Sequence, residues 1–529
     1  MNPRKNIFLF SLLISLATLS SAQQNLTLRS HITYPPGVTL AGVWHYVDTA
    51  GTEYALVGAK TGIDIYDVSI PTTPNLVLSV PGINNLWREV KTWGKYAYVT
   101  TEGVDTINDL NNGLQIINLS YLPDSAPSKI WKGDGAINNL LKRAHTVTTD
   151  NGYVYINGSN LAGGGVIIAD LNNPWNPHYV GQYSAHYVHD CYVRGNTLWT
   201  SEVNPGQFSV VDITTRSNPV VLTAEPALGL ICHNGWLSDN SNYFYATVEI
   251  HGTPLVAYDV SNISNITSVD IYFCTDSPAW EVHNVRVLND YLVNACYGSQ
   301  VTIVDAARPH NLIQVGNYFT GGGLCWDVSP YLPSGNILAT DMNGGFYVFA
   351  PTYIRACYLE GTVKDSINGN PINNANVQIL STAVLDSTDF TGTYETGIAL
   401  AGTYNIQYSA TGYITQTFNG VALNNGVLTV LNVALLPIGF STNDIINENS
   451  FSIFPNPAGN ELRIQNAELK IERIEVNDVF GKELFSQVSN LKSQISIDVS
   501  QLKPGIYFVT VTSREGIKTT KKIIKANQF

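Results

Sequence analysis

A glycine or its stand-in, four apolar or alternating positions, an aspartate, one more apolar residue and a polar, proline-bearing turn form a unit that recurs along the chain. It reads GIDIYDVSIPTTP at 62–74, GLQIINLSYLPDSAP at 113–127, GVIIADLNNPWNP at 165–177 and FSVVDITTRSNP at 208–219. It returns as LVAYDVSNISNI at 255–266, VTIVDAARPHNL at 301–312 and, truncated, GGFYVFAP at 344–351. Apolar runs this short, bounded by turn residues, predict strands. The residue closing each run steps from Asp67 through Asn118, Asp170, Asp212 and Asp259 to Asp305, at intervals of 51, 52, 42, 47 and 46 residues. A period of about 40–50 residues built only of strands and turns is that of a β-propeller. The closing carboxylate is expected to accept an N–H two residues on, an Asx-turn ahead of the proline. A calcium loop would need several carboxylates in one short segment, and DVSIPTTP has one.

Each repeat also has an earlier half, in which a strand, a short turn and a Tyr-rich strand follow one another: WREVKTWGKYAYVTT, AHTVTTDNGYVYING, HDCYVRGNTLWTSE and HNVRVLNDYLVNA. A full repeat therefore carries four strands, one blade. Counting the heads of the first strands gives Trp44/His45, Trp87/Arg88, His145, His189, His233, His283 and Trp326. That predicts seven blades across residues 23–351. The last blade stops at its third strand, while a surplus strand, NLTLRSHITY, precedes the first. This N-terminal strand is expected to complete blade seven and close the ring, removing the open edges a sheet otherwise exposes.

Four histidines in look-alike settings, RAHTV, VHDCY, CHNGW and EVHNV, open the innermost strands of blades three to six. Their side chains are expected to gather at one mouth of the central channel, with Arg88 and Trp326 in the comparable places of blades two and seven. Glu89, Asp190, Asn234, Glu281, Asn284 and Asp327 lie within a residue or two. Two readings stay open. Polar strand ends serve blade-to-blade hydrogen bonding in any propeller; a cluster of imidazoles is also a site for a divalent metal or an anionic ligand. The candidate ligand-binding set is His145, His189, His233, His283, Arg88, Trp326 and Asp327, and the candidate metal set is His145, His189, His233, His283 and Asp190.

The pattern changes past residue 351. Residues 357–437 read as short alternating strands, 438–450 as an Asn- and Ser-rich linker, and 451–529 as a second small antiparallel sandwich in which PNP fixes a turn and PGIYFVTV begins a strand. The expected fold is all-β: a seven-bladed propeller followed by two small β-sandwiches. At the other end, MNPRK, an apolar run and SSA form a signal peptide over 1–22. No later stretch is long and apolar enough to span a membrane as a helix. Charged residues are only 13% of the chain and the net charge is −13, which argues against nucleic acid and anionic membrane surfaces as partners. Six cysteines, at 191, 232, 274, 296, 325 and 357, allow 15 pairings in an oxidising compartment, and buried thiols are an equal alternative.

The blades, with WREVKTWGKYAYVTTE, AHTV, HDC, HNGW, HNV and WDVSPYLPSGNILATDMNGGFYVF in that order, resemble the LVIVD repeat and the choice-of-anchor B family. The resemblance implies a propeller displayed at the cell surface, and it implies no particular reaction. GTVxDxxxGxPIxxAxVxI through GYxxxxF resembles the carboxypeptidase regulatory-like domain, a transthyretin-like sandwich without peptidase chemistry. FSIFPNPAGNELRI, IEVNDVFGKELF and LKPGIYFVTVTSREGIKTTKKIIK resemble the type IX secretion C-terminal sorting domain. That implies the type IX machinery as a partner through 451–529, and a destination outside the cell or at the outer-membrane surface. No GxSxG elbow, HExxH helix, Walker loop or dinucleotide fingerprint occurs, so binding is favoured over catalysis. Three functions follow: an adhesion or binding module for a glycan, peptide or protein; a metal-dependent hydrolase or lyase on the histidine cluster, with Asp190 or Asp327 as acid or base; and a non-catalytic surface scaffold.

Overall fold

The computed structural model describes residues 23–107, 112–228, 231–274, 280–321, 323–438, 451–466, 471–479, 481–488, 494–513 and 518–526. The expected signal peptide and all but the first residue of the expected linker lie outside these. Two compact units result: one takes in the described residues to Glu360 with Glu395–Tyr404 and Gly420–Leu431, the other the remainder.

The first unit holds seven four-stranded antiparallel sheets in sequence order. Their inner strands are Leu40–Val47, Arg88–Trp93, Thr146–Asp150, Asp190–Arg194, Gly235–Leu237, Val282–Leu288 and Cys325–Ser329. Each inner strand contacts the next, and the last contacts the first, so the ring is closed. Burial follows position in the blade. The second and third strands lie between neighbouring sheets, so Glu53–Ala59 is buried at every residue and Val166–Asp170 at all but the last. The outermost strands, such as Val220–Pro226, are largely exposed.

Blade seven is completed from the other end of the propeller sequence. Leu26–Ile32 pairs antiparallel with Gly345–Pro351, from Leu26 opposite Pro351 to Ile32 opposite Phe346, with a bulge between Leu28 and Ser30. The recurring glycine of the repeat has a steric cause here. A Cβ on Gly62, whose φ is +156°, would sit 2.1 Å from the Val80 carbonyl oxygen of the outer strand. A Cβ on Gly345 would sit 2.3 Å from that of Ile32. The N-terminal strand thus stands against Gly345 as an ordinary outer strand stands against Gly62.

All six residues that close the third strands make the expected turn. Asp67, Asn118, Asp170, Asp212, Asp259 and Asp305 each accept through Oδ1 the backbone N–H two residues on, at 2.7–3.1 Å. Cys274 and Cys296 form a disulfide, whereas Cys191, Cys232, Cys325 and Cys357 are buried free thiols. Both readings of the cysteines were therefore half right.

Beyond the propeller, one sheet has the order Leu385–Ser387, Asn376–Ile379, Gly402–Ser409, Gln416–Leu423. Another sets Cys357–Asp365 between Thr393–Ile398 and Leu428–Val430, with Val433–Leu435 also paired to it. Near the C-terminus, a three-stranded sheet (Phe451–Phe454, Glu461–Asn466, Gln494–Asp498) and a four-stranded one (Glu483–Val488, Ile471–Asn477, Gly505–Ser513, Lys518–Lys525) enclose a core that includes Leu462, Ile474, Ile497, Val509 and Ile523. The chain is all-β: a seven-bladed propeller followed by two small β-sandwiches.

Candidate functional site

Successive side chains of a strand point to opposite faces, so alternate residues of each inner strand face the channel. Counted from the histidines, these are the first and third residues after each. The first positions are Glu89, Thr146, Asp190, Asn234, Asn284 and Asp327; the third include Trp44, Lys91, Tyr192, Trp236, Arg286 and Ser329. The histidines themselves sit at the rim, where the strands begin.

The four rings form a continuous arc. His145 and His189 have centroids 4.0 Å apart, His189 and His233 4.2 Å, and His233 and His283 4.3 Å. The indole of Trp326 follows at 4.8 Å, and Tyr297 stacks on His283 at 4.3 Å. Backbone carbonyls of neighbouring blades hold the rings in place. Nδ1 of His189 lies 3.1 Å from the His233 carbonyl, Nδ1 of His233 2.9 Å from that of His283, and Nδ1 of His283 2.6 Å from that of Trp326. A carbonyl only accepts, so these three Nδ1 atoms carry the proton and the Nε2 lone pairs are left available. Burial, reinforced by the other imidazoles, holds the pKa values of His189 and His283 well below the usual range. Burial also lowers that of His233, against the pull of Glu249 and Asp190. The three are neutral at pH 7. His145 differs: its Nδ1 meets a carboxylate, Glu102 Oε1, at 2.7 Å.

Glu249, which the repeat pattern did not single out, stands opposite this arc. Its Oε2 is 3.6 Å from His233 Nε2 and its Oε1 is 3.8 Å from His283 Nε2. The Tyr297 hydroxyl donates to Oε1 at 3.1 Å. A signal for it did exist. Glutamate stands at or just past the end of the second strand in blades two, four and five, at Glu102, Glu202 and Glu249, and the first and last of these reach the histidine of the next blade.

Together the four histidines, Trp87, Glu89, Thr146, Asp190, Glu249, Asn284 and Trp326 line a cavity of about 40 Å³. Two expected members are absent from it. Arg88 is 1% exposed and turns its guanidinium back to the carbonyls of Ala59 and Ile83, so Glu89 takes the place at the mouth instead. Asp327 shares the level of Asp190 and Asn284 but is fully buried, its carboxylate paired with Arg286 at 2.7 Å and away from the cavity. Asp190 lines the cavity, but its two oxygens already accept from Asn234 Nδ2 at 2.6 Å and the Cys191 N–H at 2.7 Å. In blade one the head of the strand is Ala41, whose carbonyl accepts from Thr340 as those of His145, His189 and His283 accept from other threonines. Trp44 and His45 lie deeper, contrary to the counting of heads.

The channel is closed below the arc. Arg286 packs over Trp236 at 5.0 Å and Trp44 at 5.9 Å, Lys91 stands over Trp44 at 4.3 Å, and Tyr331 packs on both Trp44 and Trp236. Between floor and arc, Glu89 accepts the Trp326 indole N–H at 2.7 Å. Burial, then Asp327, pushes its pKa from 4.5 up to about 7, with Lys91 opposing and Asp190 adding to the rise. An acid with a raised folded-state pKa contributes stability that is complete below pH 4.5 and is lost as pH rises through 7. Glu89→Gln is expected to remove that loss. Its unfolding free energy from urea titrations, measured with chelator present, should gain on the parent as pH rises from 5 to 8, by an amount on the order of 3 kcal/mol. A pH-independent difference would contradict the assignment.

Comparisons with known proteins place the two C-terminal segments. Residues 452–526 match the secretion system C-terminal sorting domain, and residues 358–436 match the carboxypeptidase regulatory-like domain. No curated protein matches the chain. Among solved structures, the β-propeller domain of Cps50 (Swd1) from Myceliophteria thermophila aligns at 11% identity, covering 62% of this chain and 100% of that one, with a TM-score of 0.45. Among the described residues, no helix is long and apolar enough to cross a membrane. The chain carries a type IX sorting tail, and its destination is the extracellular or outer-membrane surface.

Proposed function

We propose that the protein is a surface-delivered binding module whose ligand engages the histidine-lined mouth of the propeller. The observation that carries this reading is the arc of three neutral imidazoles with their Nε2 edges available, set in a cavity above a closed floor. At about 40 Å³ the cavity has room for roughly three waters. A sugar ring or a whole side chain is larger than that, so the ligand presents a small polar tip, such as a carboxylate or hydroxyl, while its body rests on the rim beside Trp87, which is 39% exposed. Signal-peptide export over 1–22, a propeller over 23–351, a regulatory-like spacer over 357–437, a linker over 438–450 and a sorting tail over 451–529 make a coherent display device. Membership of the choice-of-anchor B family, with its LVIVD blades, belongs to the same reading.

The test is a glycan and peptide array probed with the exported chain and with its Trp87→Ala and Glu249→Ala variants. The reading expects at least one ligand class to be retained, and to bind tenfold or more weakly when either rim residue is removed. Retention that neither variant alters would overturn the mouth as the site.

A further inference from the structure

Two groups of metal-competent side chains converge among the described residues: His189, His233 and Glu249 at the mouth, and His310, Glu360 and Glu395 elsewhere in the first unit. The second is already committed. Glu360 receives Arg308 Nε and Nη2 at 2.7 Å each and Asn311 Nδ2 at 2.9 Å, a bidentate pair plus an amide. A carboxylate so occupied has little left to offer a cation.

The mouth is the opposite case. Its ligand atoms all lie within 4.8 Å of one another. Because Nδ1 of both histidines is bound to a carbonyl, Nε2 is what each offers, and Nε2 of His233 is a lone pair facing the Glu249 carboxylate at 3.6 Å. His283 Nε2 faces the same carboxylate at 3.8 Å. Both contacts are too long for a hydrogen bond, and with Nδ1 donating to a carbonyl each ring turns its Nε2 edge to the carboxylate. A cation between them would be coordinated by both sides. The 3.6 Å between His233 and Glu249 is close to the roughly 3.3 Å that separates ligand atoms lying about 2.0–2.1 Å from a tetrahedral zinc ion, and the third ligand atom is within 4.8 Å of both. The outer contacts are those that orient metal ligands, with Nδ1–H on a backbone carbonyl for both histidines and the Tyr297 hydroxyl on the carboxylate.

We infer that His189 Nε2, His233 Nε2 and the Glu249 carboxylate bind a divalent first-row transition metal. The fourth position is left for water or for the carboxylate or hydroxyl tip of the surface ligand. This rests on the mouth being the ligand site and names the ion through which that ligand is held. Two imidazoles with one carboxylate favour zinc and its neighbours over calcium and magnesium, which prefer all-oxygen shells.

The exported chain, stripped with chelator and titrated with Zn²⁺ alone by calorimetry, is expected to bind one ion per chain that excess Ca²⁺ or Mg²⁺ does not displace. Glu249→Gln, an isosteric change at an exposed residue, should weaken binding at least tenfold, and His189→Ala should abolish it, both with unchanged circular dichroism. Tyr297→Phe, which only loosens the carboxylate, should weaken it about tenfold. Co²⁺ in place of Zn²⁺ should show the visible absorption of a tetrahedral nitrogen–oxygen site, absent from folded His189→Ala. No stoichiometric Zn²⁺, or Zn²⁺ binding that folded Glu249→Gln and His189→Ala both retain, would overturn the inference. Array binding that still depends on the rim without metal would leave the binding reading standing and remove the ion alone.

Discussion

A chain lacking residues 23–32 is expected to lose the cooperative unfolding of the propeller and to self-associate. The segment supplies blade seven with its outer strand, six residue pairs from Leu26 opposite Pro351 to Ile32 opposite Phe346. It is also held beside the pairing: Gln24 and Asn317 exchange backbone hydrogen bonds at 3.1 and 2.8 Å, Asn25 Nδ2 donates to the Val315 carbonyl at 2.6 Å, and His31 stacks on Tyr347 at 4.1 Å. Leu26, 1% exposed, belongs to the core cluster that holds Val315, Tyr347 and Phe349. Losing one buried leucine costs about 2–5 kcal/mol, and each ladder hydrogen bond about 0.5–1.5 kcal/mol. The sum exceeds 5 kcal/mol and is comparable with the whole stability of a typical domain, about 5–15 kcal/mol. The uncovered edge of Gly345–Pro351 would then be a template for pairing with another chain. Urea unfolding followed by tyrosine and tryptophan fluorescence, with light scattering for association, checks both parts. Leu26→Ala, which keeps the strand, should lie between truncated and intact chains. A monomeric truncated chain with an unchanged midpoint would mean that the ring does not depend on this strap.

The strap, the seven blades and the gathering of the histidines were legible because each has a cause that is local in sequence. The polar residue closing a third strand is demanded by one turn N–H and recurs in blades one to six, while the glycine opening it, where a Cβ would meet the outer strand, marks blades one, two, three and seven. The truncated seventh repeat and the surplus N-terminal strand were complementary for the same reason. What escaped depends on the third dimension. Arg88 occupies a histidine's place in the pattern, yet the cleft beside Gly82, where a Cβ would meet its guanidinium at 2.5 Å, draws it away from the channel. In blade one the inner strand enters three residues earlier than its aromatic pair suggests, and Gly42 leaves there the room that Glu89 fills, its Oε2 only 2.4 Å from where a Cβ would stand. Glu249 comes from a loop, and only packing brings it opposite His233 and His283. The cysteines carried no spacing signal, so one pairing out of 15 was not to be had from the sequence. Asp327, one residue past the head of its strand, looked like a mouth residue; its carboxylate is taken up instead by the buried guanidinium of Arg286 on the neighbouring blade.

That buried pair is the subject of the second large effect: Asp327→Ala is expected to destabilise the propeller by about 3–5 kcal/mol. Arg286 is 2% exposed and Asp327 is fully buried, with Nη2 donating to Oδ1 at 2.7 Å. Burial opposes the Arg286 charge, but Asp327 and Asp190 outweigh it and hold the guanidinium above its ordinary pKa. With Asp327 gone, that charge cannot be shed, since a guanidinium keeps its proton in proteins. Lys91, also buried near this layer and with its pKa lowered by burial, can lose its own proton and so does not share the penalty equally. Asp327 further accepts the Val43 N–H and Asn284 Nδ2, both at 3.3 Å, so charge loss and hydrogen-bond loss are mixed in the single variant. The double variant Asp327→Leu, Arg286→Met separates them. If the uncompensated charge dominates, removing both partners should recover more than half of the single-variant loss, because the methionine still packs between Trp236 and Trp44. If the double variant is as unstable as Asp327→Ala, the carboxylate acts chiefly as an acceptor tying blade seven to blades one and six, and the stability of the floor rests on those two weak contacts and not on the ion pair.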